Sequence, residues 1–101
     1  MVGSFNSKTA EDIFHGYNSR YARMIPLELK AKICRLLDQL NAAKDVYDMG
    51  IPPGNRLERL QGDLKNKWSV RINKQWRIIF AWDIFAWDNG IAKEVDIVDY
   101  H

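Results

Sequence analysis

The chain is poor in the residues that build metal and disulfide sites. It has one cysteine, Cys34, and two histidines, His15 and His101, in 101 residues. One thiol excludes an internal disulfide, and one thiol with two imidazoles does not complete the usual tetrahedral zinc set. No apolar run approaches the ~20 residues needed to span a bilayer, and no secretory leader opens the sequence. These absences predict a cytoplasmic protein with no metal, no cofactor and no membrane partner. Cys34 has no evident base beside it in the sequence pattern and reads as a packing residue, not a nucleophile. What is present is ordinary globular composition, 47% apolar and 28% charged, which argues against disorder. The length suffices for one compact core but not two, so residues 1–101 are expected to form a single domain.

The net charge of +2 hides a segregation. Residues 1–55 carry +1, residues 56–77 carry +5 and residues 78–101 carry −4. The basic segment holds Arg56, Arg59, Lys65, Lys67, Arg71, Lys74 and Arg77 against Glu58 and Asp63, interleaved with Trp68 and Trp76. That pattern suits a polyanion such as nucleic acid; a solvated hairpin face of mixed charge has the same composition. Trp68 and Trp76 are in phase with Val70 and Ile78, which favours the core over a base-stacking role.

Residues 2–5 read as a short edge strand. Thr9, ahead of Glu11 and Asp12, offers a hydroxyl cap and acids for the first turn of a helix that Gly16 ends. His15 then decorates that helix's surface or its C-terminal end. Pro26 suits the first turn of a second helix running to about Ala43. Leu29, Ile33, Leu36, Leu37 and Leu40 make one apolar stripe, with Glu28, Lys32, Arg35 and Gln39 on the opposite face. Ile51-Pro52-Pro53-Gly54 breaks the helical pattern. Beyond it, Trp68–Ile72 and Trp76–Phe80 alternate as strands joined by Asn73-Lys74-Gln75, with Asn73 able to take a positive φ. The expected architecture is α+β, two N-terminal helices packed on a mainly antiparallel twisted sheet.

Ile79-Phe80-Ala81-Trp82-Asp83 recurs without change as Ile84-Phe85-Ala86-Trp87-Asp88. Five is odd, so two copies in one strand would reverse which side chains face the core. One copy should continue the strand and the other form a hairpin tip or bulge, a tandem duplication with no necessary function.

The sequence closes on Asp99-Tyr100-His101 after the strand-like Val95, Ile97 and Val98. Histidine titrates near neutral pH, so the triplet reads as a proton-transfer group or as a polar tail. Pro52-Pro53-Gly54-Asn55-Arg56-Leu57-Glu58, Leu60, Gly62-Asp63, Trp68–Asn73, Gln75-Trp76-Arg77 and the terminal Val98-Asp99-Tyr100-His101 together resemble the HigB-type toxins of the RelE superfamily. The resemblance runs the length of the chain and is strongest from Pro52 onward. It implies a RelE-like microbial RNase fold and a ribosome-dependent messenger RNA endonuclease. It also implies a HigA-type helix-turn-helix antitoxin as partner, with operator DNA contacted only through that antitoxin. The family's active-site Asp, Tyr and His fall on Asp99, Tyr100 and His101, and its catalytic-face arginine falls on Arg77. Some relatives carry a His and a Lys where this chain has Glu58 and Gln61, which removes one proton carrier and one phosphate ligand. Glu58 is then a candidate base or a solvated surface acid, and Arg56, Arg59, Lys65 and Arg71 are candidates to replace the missing charge.

Metal-free RNA cleavage needs a base for the 2′-hydroxyl proton, an acid for the departing 5′-oxygen and cations for the phosphorane-like transition state. The expected roles are His101 as proton carrier, Asp99 orienting it, Arg77 on the phosphate and Tyr100 stacking on a base or bonding near the phosphate. Arg77 as a structural partner in the sheet is the alternative. Two rival functions stand beside this one: a non-catalytic RNA- or protein-binding module of the same fold, and an enzyme acting on free RNA.

Overall fold

The computed structural model describes residues 1–64, 66–84 and 90–99. Lys65, the Phe85–Asp88 part of the repeat, Tyr100 and His101 lie outside the described residues. Helix α1 (Lys8–His15) is capped by Ser7, whose Oγ accepts from the Ala10 amide at 3.1 Å. The cap is therefore Ser7 and not Thr9: helical dihedrals already begin at Lys8, which leaves Ser7 in the extended conformation that a cap requires. Gly16 ends the helix as expected, at φ 78°, where its amide reaches the Ile13 carbonyl. After Pro26, a 3₁₀ turn over Leu27–Leu29 leads into α2 (Lys30–Ala42). Ile33, Leu36, Leu37 and Leu40 of α2 are fully buried.

The strands are β1 (Glu58–Arg59), β2 (Lys67–Arg71), β3 (Trp76–Asp83) and β4 (Ile91–Asp99), antiparallel in sequence order. The stripe of α2 packs on the sheet face formed by Val70, Ile72, Ile78, Phe80, Val95 and Ile97. One face of the sheet is thus committed to the helices and the other is left open. The N-terminal residues do lie at a sheet edge, but as two parallel bridges, Val2 to Ala92 and Phe5 to Val95. A β-bulge interrupts β3–β4 between Ile79 and Ala81, with Glu94 at φ 53° and its amide donating to Ser4 Oγ at 2.9 Å.

Asn73 does not use a positive φ. Its Oδ1 accepts from the Gln75 and Trp76 amides at 2.9 and 2.8 Å, so the side chain closes the turn that the backbone was expected to close. Gln39 is likewise more than a solvated residue: its Nε2 donates to the Asp48 and Ile51 carbonyls at 3.0 and 2.7 Å. Cys34 is half-buried with its thiol pushed up by burial, as a packing residue would be.

The register resolves the repeat. The first copy, Ile79–Asp83, lies wholly in β3, and Asp83 pairs with Ile91. The second copy therefore falls within the 84–90 connection, where Ile84 is exposed. Trp82 packs on Phe80 and passes so close to Gly90 that a Cβ there would sit 2.1 Å from the indole.

Removing residues 84–88 leaves Asn89-Gly90 between paired strand ends, the preferred two-residue hairpin sequence. The shortened chain should unfold cooperatively and be about 1 kcal/mol more stable in urea from loop closure alone; loss of cooperative unfolding would overturn the passenger reading of the repeat. Asp12, 2% exposed, accepts from Ser19 Oγ at 2.5 Å and lies 3.2 Å from Lys8 Nζ. The Ser19 hydroxyl first, and Lys8 next, hold its carboxyl below the ordinary range against the opposing effect of burial. A depressed folded pKa stabilises fully above the unfolded value of about 3.9 and is lost as pH falls through the folded one. Ser19→Ala should therefore move the acid limb of stability to higher pH, read as urea midpoints from neutral pH downward.

Candidate nucleic-acid interface

Strand pairing assigns each predicted residue within a described strand to a face, because side chains two apart share one side of a sheet. Glu58 stands opposite Ser69, Ser69 opposite Ile79, and Ile79 opposite Asp96. Arg71 stands opposite Arg77, and Arg77 opposite Val98. Lys67 lies two residues from Ser69, so Glu58, Lys67, Arg71 and Arg77 all belong to the open face. Arg59 does not: it is opposite Trp68 on the helix side, with its guanidinium 5.6 Å from the indole centroid. Arg56 is exposed after the Pro53–Asn55 turn, at φ 47°, and Lys74 is exposed in the β2–β3 connection. The +5 segment is thus distributed over two faces and an edge.

At the hairpin end of the open face, the half-buried Arg77 donates from Nη1 to the Asn73 carbonyl at 2.6 Å and to the Trp76 carbonyl at 3.3 Å. Gln75 Nε2 donates to Asp99 Oδ2 at 2.9 Å. Asp99 is in register with Trp76, on the opposite side from Arg77, so the two predicted residues meet at one end of the sheet from different faces. The Asn73-Lys74-Gln75 turn joins them. Sequence reasoning treated that turn as a connector only; Asn73 at the head of the hairpin connection is the Asx-turn signal that marked it.

Toward β4 the same face becomes acidic. Lys67 donates to Glu94 Oε2, and Lys93 pairs with Asp83 at 2.9 Å. A groove of about 470 Å³ runs there, lined by Leu64, Lys67, Ile79, Glu94, Asp96 and Val98 among others. The Glu94 partner of Lys67 was not foreseen, since the bulge that turns Glu94 toward β2 has no local signature. Glu58 is exposed, and the exposed Gln61 borders a separate hollow with Arg59, Leu60 and Gly62. Trp68 and Trp76 are half-buried against the core. His15 is exposed at the end of α1, within ring contact of Phe14, Phe5 and Tyr17. Among the described residues, no group of three or more His, Cys, Asp or Glu side chains is placed to hold a metal ion. No helix among them is long and apolar enough to cross a membrane.

Comparison with known proteins bears on what this face belongs to. The fold is shared with a chain of the YoeB-YefM complex from Staphylococcus aureus, at a TM-score of 0.55 and 20% identity, covering 100% of this chain and 98% of that one. The YoeB/ParE toxin from Agrobacterium tumefaciens has a TM-score of 0.51 at 16% identity, covering 100% and 99%. In sequence, the chain is 40% identical over 82 residues to Toxin HigB-1 of Vibrio cholerae, covering 81% of this chain and 84% of that protein. It is 33% identical over 70 residues to an uncharacterized protein of Haemophilus influenzae, covering 69% and 68%. Residues 4–101 match the family model described as RelE-like toxin of type II toxin-antitoxin system HigB. With that match spanning nearly all of its length, the chain belongs to the HigB-like family of RelE-like toxins of type II toxin–antitoxin systems.

Proposed function

We propose that this toxin is an endoribonuclease that cuts messenger RNA on translating ribosomes and is neutralised by a HigA-type helix-turn-helix antitoxin. Operator DNA is contacted through the antitoxin alone. The observation that carries the catalytic reading is the pairing of Arg71 directly opposite Arg77 on the open face. Like charges in facing positions of a strand pair destabilise it, and Arg71 has no carboxylate partner among the described residues. A bound phosphate resolves that repulsion, and two planar guanidinium forks suit its oxygens. Val98, beside Arg77, leads directly into Asp99-Tyr100-His101 in sequence, and Asp99 ends β4 opposite Trp76.

In the proposed reaction a base removes the 2′-hydroxyl proton and the oxygen attacks the adjacent phosphorus. The P–O5′ bond breaks, and an acid returns a proton to the leaving oxygen, leaving a 2′,3′-cyclic phosphate and a 5′-hydroxyl. His101 carries the proton, Asp99 orients it, and Tyr100 stacks on a base or bonds near the phosphate. Arg77 and Arg71 bind the scissile phosphate, while Glu58 is the remaining candidate base. Arg56, Lys65 and Lys74 supply longer-range attraction to messenger and ribosomal RNA, whereas Lys67 is paired with Glu94. The partner reading draws on the family and on the Staphylococcus aureus neighbour, which was solved as a complex. One observation favours the second reading, a non-catalytic binding module: Nη1 of Arg77 is already engaged by two backbone carbonyls, as a hairpin clasp would be.

Arg77→Ala and His101→Ala should each lower cleavage of messenger RNA on ribosomes by ~10²-fold or more. The thermal transition of His101→Ala should match that of the parent protein. Full cleavage by both variants would overturn the assignment. RNA binding without cleavage by the parent protein would select the binding module, and equal cleavage without ribosomes would select an enzyme of free RNA. In cells, growth should arrest when the chain is expressed alone and recover when its helix-turn-helix partner is co-expressed.

A further inference from the structure

Tyr47 is a large aromatic residue held outside the core. It is 67% exposed, yet it stands on one of the most thoroughly bonded turns of the molecule. Its amide donates to Asp45 Oδ1 at 2.8 Å, and the Lys44 and Asp45 amides donate to Asp48 Oδ2 at 3.1 and 3.2 Å. Gln39 on α2 grips the Asp48 carbonyl from outside the turn, and Val46 and Met49 anchor it from below. The turn is therefore fixed by residues that leave the Tyr47 ring in solvent.

The ring lies against Trp68 in a T-shaped contact, with centroids 5.7 Å apart and planes at 85°. Arg59 covers the same indole. Arg59 and the nearby Arg56 are exposed, and neither has a carboxylate partner among the described residues. Tyrosine, tryptophan and arginine thus form a ladder at the β1 edge, with the carboxylates of the same turn, Asp45 and Asp48, turned onto backbone amides. A protein partner's apolar anchor would favour a concave pocket; this is a projecting ring whose supporting indole carries a cation. Single-stranded nucleic acid recognition combines those two elements, aromatic faces for bases and cations for the backbone.

We infer that Tyr47, seated on Trp68 with Arg59 over the same indole, is a base-stacking platform for single-stranded RNA, separate from the open face that holds Arg71 and Arg77. The inference extends the RNA-directed reading above, since it assigns a second contact to the same class of ligand. β1 is only two residues long, so a strand of RNA leaving the open face has a thin edge to cross before it reaches the platform. The platform holds a base outside the scissile region, in the messenger flank or in ribosomal RNA.

The probe is a short single-stranded 2′-O-methyl RNA, which lacks the hydroxyl nucleophile and cannot be cut, together with an abasic oligomer of the same length. Tyr47→Ala should weaken binding of the base-bearing oligomer about 5- to 100-fold and leave the abasic oligomer unaffected. Its salt dependence should not change, because no charge is removed. Tyr47→Phe should bind as the parent protein does, whereas Arg59→Ala should weaken both oligomers and lower the salt slope. Parent-like affinity in Tyr47→Ala, an equal loss for the abasic oligomer, or no binding by the parent protein would overturn the platform. So would lost affinity for the antitoxin with RNA binding intact. Ribosomal cleavage by the parent protein, measured alongside, separates the two readings. Tyr47-dependent binding without cleavage supports the platform and removes the catalytic reading; cleavage with an inert Tyr47 removes the platform alone.

Discussion

The structure depends on the burial of one helical stripe against one sheet face. Ile33, Leu36, Leu37 and Leu40 have no exposure, and they meet Val70, Ile78, Phe80 and Val95, which have none either. Each fully buried aliphatic side chain contributes roughly 1.5–3 kcal/mol, so this contact fixes strand register more firmly than any polar interaction in the molecule. A slip by one residue would place Arg71 and Arg77 under α2 and expose the core residues. The open face is therefore a consequence of the core. Arg71 and Arg77 face each other because Val70 and Ile78 must.

That dependence explains what the sequence made legible. The α2 stripe has a 3.6-residue period, and the strands around Val70 and Ile78 alternate, so both declare themselves locally. Gly16 needs a left-handed backbone, and the sequence places it where the apolar pattern stops. Other features rest on contacts distant along the chain. The parallel bridges of Val2 and Phe5 to β4, and the bulge that turns Glu94 toward Lys67, arise only after β3 and β4 have paired. Local competition decided some details: Ser7 and Thr9 are both competent caps, and the helix starts where Ser7 stays extended. Asn73 had two ways to make a turn and used its side-chain oxygen.

The site divides along the same line. Charge segregation was visible as composition, but composition carries no information about faces. Alternation sends Arg59 to the Trp68 side and Arg71 to the other, though both belong to the same basic segment. Lys67 reaches the open face and is there neutralised by Glu94. The open face thus has a graded charge, cationic where Arg71 faces Arg77 and acidic along β4. A polyanion entering it would be drawn to the hairpin end and repelled from Asp96, which would orient the chain of phosphates without any base being read.

The repeat shows how much of this arrangement is insulated from insertion. Five extra residues in β3 itself would have reversed every face beyond them. Placed after Asp83, they leave Ile78 opposite Ile97 and Arg77 opposite Val98. Trp82 closes that end of the core over Gly90, where no side chain fits, and so separates the connection from the strand segments that carry Arg71 and Arg77. The basic pair lies at the far end of β3, next to the Asn73 turn. Register errors at the repeat end would have to propagate through Phe80 and Ile78, both fully buried, before they reached Arg77. The same packing that creates the open face also protects it.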